Sequence, residues 1–261
     1  MIDKATWNAL VKEWEKVGKV YQIPRRVEYR LKFFCDHALK YLKSMNVVEL
    51  GCNAGVYSIP ISEVCHSYTG VEPGNLIAKP QFKTSYFAQA QMTEKHIGKH
   101  EVHFLNMTVE GYVKATKLCN KAMIVSGLVG DYPYALVMSY CLYHFSNKEV
   151  ELLASDILPT MSTVIIQTRN QKRPKKHNSY KFWKSKNVVK FFMSQGFTSR
   201  EIVWEKDRKF SLEMFFKPSL YNKEASCNAQ SASQPVKDSS LNTTKNAQAN
   251  GTAPSATSPT P

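Results

Sequence analysis

The sequence has 261 residues, of which 43% are hydrophobic and 21% charged, enough apolar material for one substantial folded core. The 35 Lys and Arg outnumber the 21 Asp and Glu, and the formal net charge of +14 favours anionic partners such as nucleic acid. There is no apolar run long enough to span a membrane, no signal-peptide pattern, and no CxxC pair among the six cysteines. We therefore expect a cytoplasmic protein with no membrane segment and no metal site.

Composition divides the chain into three predicted parts. Residues 1–45 have helical spacing and are expected to form an N-terminal helical cap. Residues 46–217 alternate between strand and helix patterns and form the predicted ligand-binding domain. Residues 218–261 consist mainly of Ser, Thr, Asn, Ala, Gln and Pro, and we expect this tail to be disordered because it has little apolar surface to bury.

Two helices are predicted ahead of the first strand. Trp7, Leu10 and Trp14 are spaced as on one helix face, and a second helical run covers residues 27–43. Packing against the core explains these apolar residues. A lid on the substrate side of the domain is the alternative, and the sequence does not choose between them.

Short apolar strands then alternate with helices. Strands are predicted over residues 46–50, 67–71, 102–105, 134–139, 162–168, 198–204 and 210–216, and helices over residues 55–64, 148–157 and 187–195. The stretch around residues 88–94 has no clear pattern. The alternation predicts an α/β fold with a mostly parallel sheet that binds its ligand at the carboxyl ends of the strands.

The turn after the first predicted strand has the spacing Gly51-x-Asn53-x-Gly55 and leads into a predicted helix. Glycine allows a tight turn off the strand and a close approach of backbone to a ligand, and Asn tolerates left-handed backbone angles. A generic strand-turn-helix junction would account for the glycines alone, so they do not by themselves establish a ligand site.

Two acidic residues favour a ligand site. Glu72 ends the second predicted strand, where a carboxylate is suited to accept hydrogen bonds from the ribose hydroxyls of an adenosine cofactor. Glu49 ends the first strand and is suited to hold the cationic amino end of an amino-acid-like cofactor. A dinucleotide enzyme would more typically have Gly-x-Gly-x-x-Gly and has no need of Glu49.

Residues 46–217 resemble the class I S-adenosylmethionine-dependent methyltransferases. Residues 47–55 are similar to the first motif of that family, residues 70–73 to its second, and residues 134–139 to its fourth strand, although Ala135 stands where Asp is frequent. The resemblance implies a Rossmann-like sheet of seven strands with an antiparallel last strand, and S-adenosylmethionine as cofactor. The cofactor-binding residues it implies, beside those of the turn and the two acids, are Asn106, Met107 and Ser139; the family usually has Asp at position 106.

The segment after the fourth strand is expected to line the acceptor side of the site. Methyl transfer from a sulfonium depends mainly on positioning, and a general base is optional. His144 is suited to orient or deprotonate an acceptor, and Tyr143 to line the site, so both are candidate catalytic residues. A structural histidine that holds a neighbouring loop is the alternative for His144.

A basic segment follows the fifth predicted strand. Residues 169–184 combine many cations with three aromatic side chains and have no acid. A solvated loop is the ordinary explanation of such a run, but this one leaves the sheet at the cofactor edge, where cations and aromatics suit phosphates and bases. The candidate substrate-binding residues are Arg169, Lys172, Arg173, Lys175, Lys176 and Tyr180.

A narrower and fainter resemblance favours RNA among the anionic acceptors. Residues 142–144, 188–192 and 26–30 are somewhat similar to segments of the transferases that alkylate the wobble uridine of tRNA. The alternatives are a methyltransferase of small molecules and a non-catalytic nucleic-acid-binding module on the same fold. The second alternative is weakened by Glu49 and Glu72, because a site that has lost turnover has little use for both acids.

Overall fold

The computed structural model describes residues 4–17, 24–73, 86–126, 133–142, 145–169, 185–205 and 210–218. The described helices are α1 (Lys4–Val17), α2 (Pro24–His37), α3 (Ser58–Ser62), α4 (Tyr86–Ile97), α5 (Val109–Ser126), α6 (Asn147–Leu152) and α7 (Ser185–Ser194). The strands are β1 (Asn46–Leu50), β2 (Ser67–Val71), β3 (Val102–Leu105), β4 (Tyr134–Ser139), β5 (Met161–Arg169), β6 (Ser199–Trp204) and β7 (Phe210–Phe216).

The seven strands form one mixed sheet in the order β3-β2-β1-β4-β5-β7-β6. Strands β1 to β5 run parallel to one another, and β7 runs antiparallel to both β5 and β6. The predicted α/β class, the seven strands and the antiparallel last strand are confirmed. Parallel pairing brings the carboxyl ends of β1, β2 and β4 to one edge, where the turns that follow them meet.

The hydrophobic core lies on both faces of the sheet. On one face, α1 and α2 contribute Leu10, Trp14 and Phe34 to the same cluster as Val47 and Tyr68 of the sheet. On the other face, a second cluster joins side chains of α5, α6 and α7 to those of β4 and β5. Helices on both faces leave the strand ends as the place where polar side chains meet a ligand.

The helices differ from the prediction more than the strands do. The helix expected over residues 55–64 extends only over Ser58–Ser62, and the left-handed φ of +73° at Gly55 excludes that residue from it. Helices α4 and α5 had no predicted counterpart in the sequence pattern. Helix α6 begins at a capping box between Ser146 and Glu149, and the chain continues through a π-helical turn over Leu153–Ile157.

None of the helices in the described segments is both long and apolar enough to cross a bilayer. Except for Pro218, the predicted tail of residues 218–261 lies outside the described residues. The prediction that it is disordered stays a prediction.

Candidate cofactor site

The turn after β1 is shaped by left-handed backbone angles. Gly51 has a φ of +70°, and a Cβ there would lie 2.5 Å from Cβ of Cys141. The thiol of Cys141 donates to the carbonyl oxygen of Leu50 over 2.9 Å, and the N–H of Gly51 donates to the carbonyl oxygen of Val71 over 2.8 Å. The chain can make this turn, packed against β2 and the segment after β4, only with glycine at position 51.

Asn53 takes the place of a further glycine, as predicted from its tolerance of left-handed angles. Its φ is +52°, and its side-chain Nδ2 donates to the carbonyl oxygen of Gly51 over 3.0 Å. Its main-chain N–H donates to Oε2 of Glu72 over 2.8 Å. Asn53 therefore closes the turn with its side chain and joins the turn to the end of β2 with its backbone.

The ring of Phe104 on β3 occupies the space that side chains at two glycines would need. A Cβ on Gly55 would lie 2.5 Å from Cζ of Phe104, and a Cβ on Gly70 would lie 2.6 Å from Cδ1 of the same ring. Gly55 therefore allows close packing of the turn against the sheet.

Glu49 is buried at the end of β1, with an exposed fraction of 1%. The hydroxyl of Tyr68 donates to its Oε2 over 2.6 Å. The pKa of Glu49 is raised to about 8: burial is the main cause, the hydrogen bond from Tyr68 opposes the rise, and the neighbouring Glu72 adds to it. The site therefore holds a carboxyl group whose ionised form a cation would stabilise.

Glu72 lies at the end of β2 and is 9% exposed. Burial raises its pKa, and the hydrogen bond from the Asn53 N–H opposes the rise. In the part of the chain that the structure describes, neither Glu49 nor Glu72 forms a salt bridge. Two buried carboxyl groups without a described counter-ion face the same edge of the sheet.

The structure places the other predicted cofactor residues at the same edge. Ser139 ends β4 and is 4% exposed, and its Oγ has no hydrogen-bond partner among the described residues. Asn106 directly follows β3 and is exposed, while Met107 packs against the core. The orphan hydroxyl of Ser139 is a donor and acceptor that remains for a ligand.

The sequence pattern did not indicate one contact of the turn, which connects it to helices α1 and α4. Oγ1 of Thr93 on α4 donates to the carbonyl oxygen of Ala54 over 2.7 Å and accepts from Nε1 of Trp14 on α1 over 3.1 Å. All three residues are buried. Thr93 thus connects helix α1 to the turn by two hydrogen bonds.

A second unpredicted group lies on the β4–β5 side of the edge. The hydroxyl of Tyr57 donates to Oε1 of Gln167 over 2.6 Å, and Nε2 of Gln167 donates to the carbonyl oxygen of Arg30 on α2 over 3.4 Å. The guanidinium of Arg30 lies 4.5 Å from the ring centroid of Tyr140, which has a left-handed φ of +60°. The sequence signals for this group are the position of Tyr140 directly after β4 and the faint resemblance over residues 26–30, which include Arg30.

The predicted catalytic pair and most of the basic segment lie outside the described residues. These residues are Tyr143, His144, Lys172, Arg173, Lys175, Lys176 and Tyr180. Arg169 is described only as the last residue of β5, paired with Phe210 of β7. Among the described residues, no group of three His, Cys, Asp or Glu is placed to hold a metal ion.

No family model matches this sequence, and no curated protein matches it. Solved structures do resemble the fold. The N-methyltransferase NodS from Bradyrhizobium japonicum WM9, in complex with S-adenosyl-L-homocysteine, has a TM-score of 0.51 and 12% identity over 81% of this chain and 98% of NodS. Magnesium protoporphyrin IX methyltransferase (ChlM) from Synechocystis PCC 6803, with bound S-adenosylhomocysteine, has a TM-score of 0.50 and 13% identity over 79% of this chain and 93% of ChlM.

A third structure, the complex of DhpI with S-adenosylhomocysteine, has a TM-score of 0.51 and 11% identity over 82% of this chain and 95% of DhpI. This chain has the fold of the class I methyltransferases. The fold-level resemblance inferred from residues 46–217 is confirmed. At these identities the comparisons establish the fold, and the activity is argued below from the residues of the site.

Proposed function

We propose that this protein is an S-adenosylmethionine-dependent methyltransferase. The observation that carries the proposal is the pair of buried carboxyl groups, Glu49 and Glu72, at the ends of β1 and β2 beside the left-handed turn of residues 51–55. The cofactor supplies the methyl group from a sulfonium centre. The residues of this chain bind and orient it.

The charge of the site suits this cofactor better than a dinucleotide. Buried carboxyl groups are costly unless they are protonated or paired with a cation. S-adenosylmethionine brings a sulfonium and an ammonium to such a site, and its ribose hydroxyls are donors for Glu72. A dinucleotide brings an anionic pyrophosphate, which the ionised form of Glu49 would repel, whereas an acid at the position of Glu72 suits the ribose of either cofactor.

The orphan hydroxyl of Ser139 supports the same assignment. A buried polar atom without a partner costs free energy in the ligand-free protein, and a ligand that bonds to it recovers that cost. The neighbours NodS, ChlM and DhpI have been solved with S-adenosylhomocysteine bound. We assign Glu49, Glu72, Ser139 and the turn of residues 51–55 to the binding of the same cofactor here.

Differential ligand binding tests the proposal directly. S-adenosylhomocysteine should raise the melting temperature of the protein in proportion to the logarithm of its concentration, and NAD at the same concentrations should not. Labelled S-adenosylmethionine, incubated with the protein and fractionated cell extract, should then label one class of acceptor. Absence of any shift with S-adenosylhomocysteine would overturn the proposal.

For the acceptor we propose RNA or another polyanion. The support is the basic and aromatic composition of residues 170–184, which follow the end of β5. A small-molecule acceptor is the alternative, and a non-catalytic nucleic-acid-binding module is the rival from another class. Labelling of RNA by the fractionation experiment distinguishes all three, since the module would bind RNA and transfer no methyl group.

Salt dependence tests the role of the basic segment. If residues 170–184 contact phosphates, affinity for RNA should fall steeply with salt, and Lys175→Gln with Lys176→Gln should reduce the slope of that dependence. Lys12→Gln with Lys95→Gln removes the same charge from exposed sites on α1 and α4 and is the matched control. Equal slopes for the two double variants would exclude the segment as the phosphate contact.

A further inference from the structure

Arg30 is a cation at the carboxyl edge of the sheet with no acidic partner in the described structure. Its guanidinium carbon lies over the ring of Tyr140, directly after β4, 4.5 Å from the ring centroid, which is a cation–π contact. Among the described residues it forms no salt bridge, whereas Lys32, also on α2, pairs with Asp36 at 2.7 Å. A cation–π contact engages the charge of the guanidinium and does not use up its N–H donors.

The backbone at Arg30 is held in place independently of its side chain. The carbonyl oxygen of Arg30 accepts from Gln167, and Gln167 is in turn held by the hydroxyl of Tyr57. Phe34, one turn further along α2, packs edge-on against the ring of Tyr57 with centroids 5.1 Å apart. These contacts fix α2 on the edge of the sheet, so the guanidinium of Arg30 is positioned before any ligand arrives.

The charges of the edge are separated in space. The acids Glu49 and Glu72 lie at the ends of β1 and β2, and Arg30 lies over the end of β4 on the other side of β1. Tyr57 lies between the two signs of charge: burial raises the pKa of its hydroxyl most, Tyr140 and Glu49 raise it further, and Arg30 lowers it. A ligand at this edge therefore meets carboxylates on one side and a guanidinium on the other.

We propose that Arg30 is the anion-binding group of this site and that its N–H donors bind a carboxylate or phosphate oxygen. The proposal rests on the proposed methyltransferase function. The anion has two sources of the same chemistry: the carboxylate at the amino-acid end of the cofactor, or an anionic group on the acceptor. Ser139, which immediately precedes Tyr140 in the chain, has a hydroxyl without a partner among the described residues and is a second donor at the same edge of the sheet.

Calorimetry with two ligands separates the sources. S-adenosylhomocysteine carries the carboxylate, and 5′-methylthioadenosine has the same adenosine and thioether without the amino-acid end. Arg30→Met removes the charge and leaves the backbone bond to Gln167, Arg30→Lys keeps the charge without the planar fork, and Lys32→Met is the matched control on the same helix. Inorganic phosphate, titrated into the free protein and into its S-adenosylhomocysteine complex, is the probe for an acceptor anion.

If the cofactor carboxylate is the anion, Arg30→Met should lower the affinity for S-adenosylhomocysteine by about tenfold or more and leave the affinity for 5′-methylthioadenosine unchanged. Arg30→Lys should have an intermediate affinity for S-adenosylhomocysteine. If the acceptor supplies it, S-adenosylhomocysteine affinity stays constant, and phosphate binds the wild-type complex but not that of Arg30→Met. Unchanged cofactor affinity together with no Arg30-dependent phosphate binding would overturn the proposal. Should the wild type bind neither adenosine ligand, the proposed function fails, and phosphate binding to the free protein still decides the role of Arg30.

Discussion

The main-chain N–H of Asn53 donates to Oε2 of Glu72 over 2.8 Å, so the turn after β1 and the end of β2 form one unit. This bond uses one lone-pair direction of the Glu72 carboxylate and fixes its orientation. The remaining acceptor capacity of the carboxylate is available to hydroxyl donors of a ligand. The residue that is expected to bind the ribose is therefore also the residue that holds the turn in shape.

Substitution of Glu72 should separate these two roles. Glu72→Gln keeps an acceptor oxygen for the Asn53 N–H but loses the charge, and we expect affinity for S-adenosylhomocysteine to fall by roughly tenfold to a hundredfold, the range of a charged hydrogen bond. Glu72→Ala removes both roles and should abolish the ligand-induced rise in melting temperature. Calorimetry and thermal unfolding measure the two effects.

The control for Glu72 is Glu63, an exposed acid after α3 whose only described ion pair is with Lys99. Glu63→Ala changes the net charge equally and should leave ligand affinity unchanged, because a surface ion pair contributes little. Equal losses of affinity in Glu72→Ala and Glu63→Ala would show that the loss is a general charge effect and not a contact with the ligand.

Glu49 should make the ligand-free protein less stable as the pH rises. Burial raises its pKa to about 8 from an ordinary value of 4.5. Between these values the folded chain retains a proton that the unfolded chain releases, so the free energy of unfolding falls with rising pH, by at most about 1.4 kcal/mol per pH unit. Glu49→Gln removes the titration, keeps an acceptor for the Tyr68 hydroxyl and should flatten the dependence.

Denaturant unfolding of the two proteins from about pH 5 to pH 8 measures this difference. The same titration predicts proton release on ligand binding near pH 7, since the ligand ammonium favours the ionised form of Glu49. Calorimetry in buffers of different ionisation enthalpy would detect the proton, and Glu49→Gln should not release it. Parallel pH profiles for wild type and variant would contradict the raised pKa.

The sheet was predictable because most of its strands are buried runs of apolar residues bounded by turn residues. Strands β1 to β4 and β7 have the predicted bounds, β5 extends one residue further at each end, and β6 begins one residue later. Helix α4 was not predictable in this way. Its buried residues are Gln89, Ala90 and Thr93, so the face that packs inward is partly polar and has no apolar periodicity.

The site was predictable only where it is local in sequence. Glu49 and Glu72 stand next to glycine motifs at strand ends, and a linear pattern finds them. Gln167 meets Arg30 across 137 residues and Tyr57 across 110. Contacts at such separations are created by the pairing of β4 with β5 and the packing of α2 on the sheet, so short motifs do not reveal them.

Alanine should destabilise the protein more at Gly55 than at a glycine that has a similar left-handed φ but free space around its Cα. Gly55→Ala combines a left-handed φ of +73° with a Cβ 2.5 Å from the ring of Phe104. Gly98, which ends α4, has a φ of +63°, and a Cβ there would have its nearest contact at 3.9 Å. Gly98→Ala should cost about 1 kcal/mol of unfolding free energy for the backbone alone.

Gly55→Ala should cost about 1–3 kcal/mol more than Gly98→Ala, the range of overpacking in a core. The ring of Phe104 packs against Gly70 as well as Gly55, so it has little room to move away from a new Cβ. Gly55→Ala should also lower the affinity for S-adenosylhomocysteine, because the turn must shift away from the sheet. Denaturant unfolding and calorimetry on both variants check this expectation. Equal destabilisation by Gly55→Ala and Gly98→Ala would show that the Phe104 ring moves aside and does not determine the position of the turn.

Thr93 should be more important for the turn than its place on α4 suggests. Thr93→Val preserves the shape of the side chain and removes the hydroxyl that bonds to Ala54 and Trp14. The carbonyl oxygen of Ala54 and Nε1 of Trp14 then remain buried without this partner, at a cost of about 2–4 kcal/mol in total. Denaturant unfolding measures that loss.

A double-mutant cycle identifies the cause of the loss. Trp14→Phe removes the N–H donor itself, so in its background Thr93→Val should cost less than in the wild type, by about 1 kcal/mol. If α1 positions the turn through Thr93, each single variant should also lower the affinity for S-adenosylhomocysteine, although neither residue is among those assigned to the cofactor. Additive costs in the cycle would mean that Trp14 stabilises the fold only by packing and that α1 does not act on the turn through Thr93.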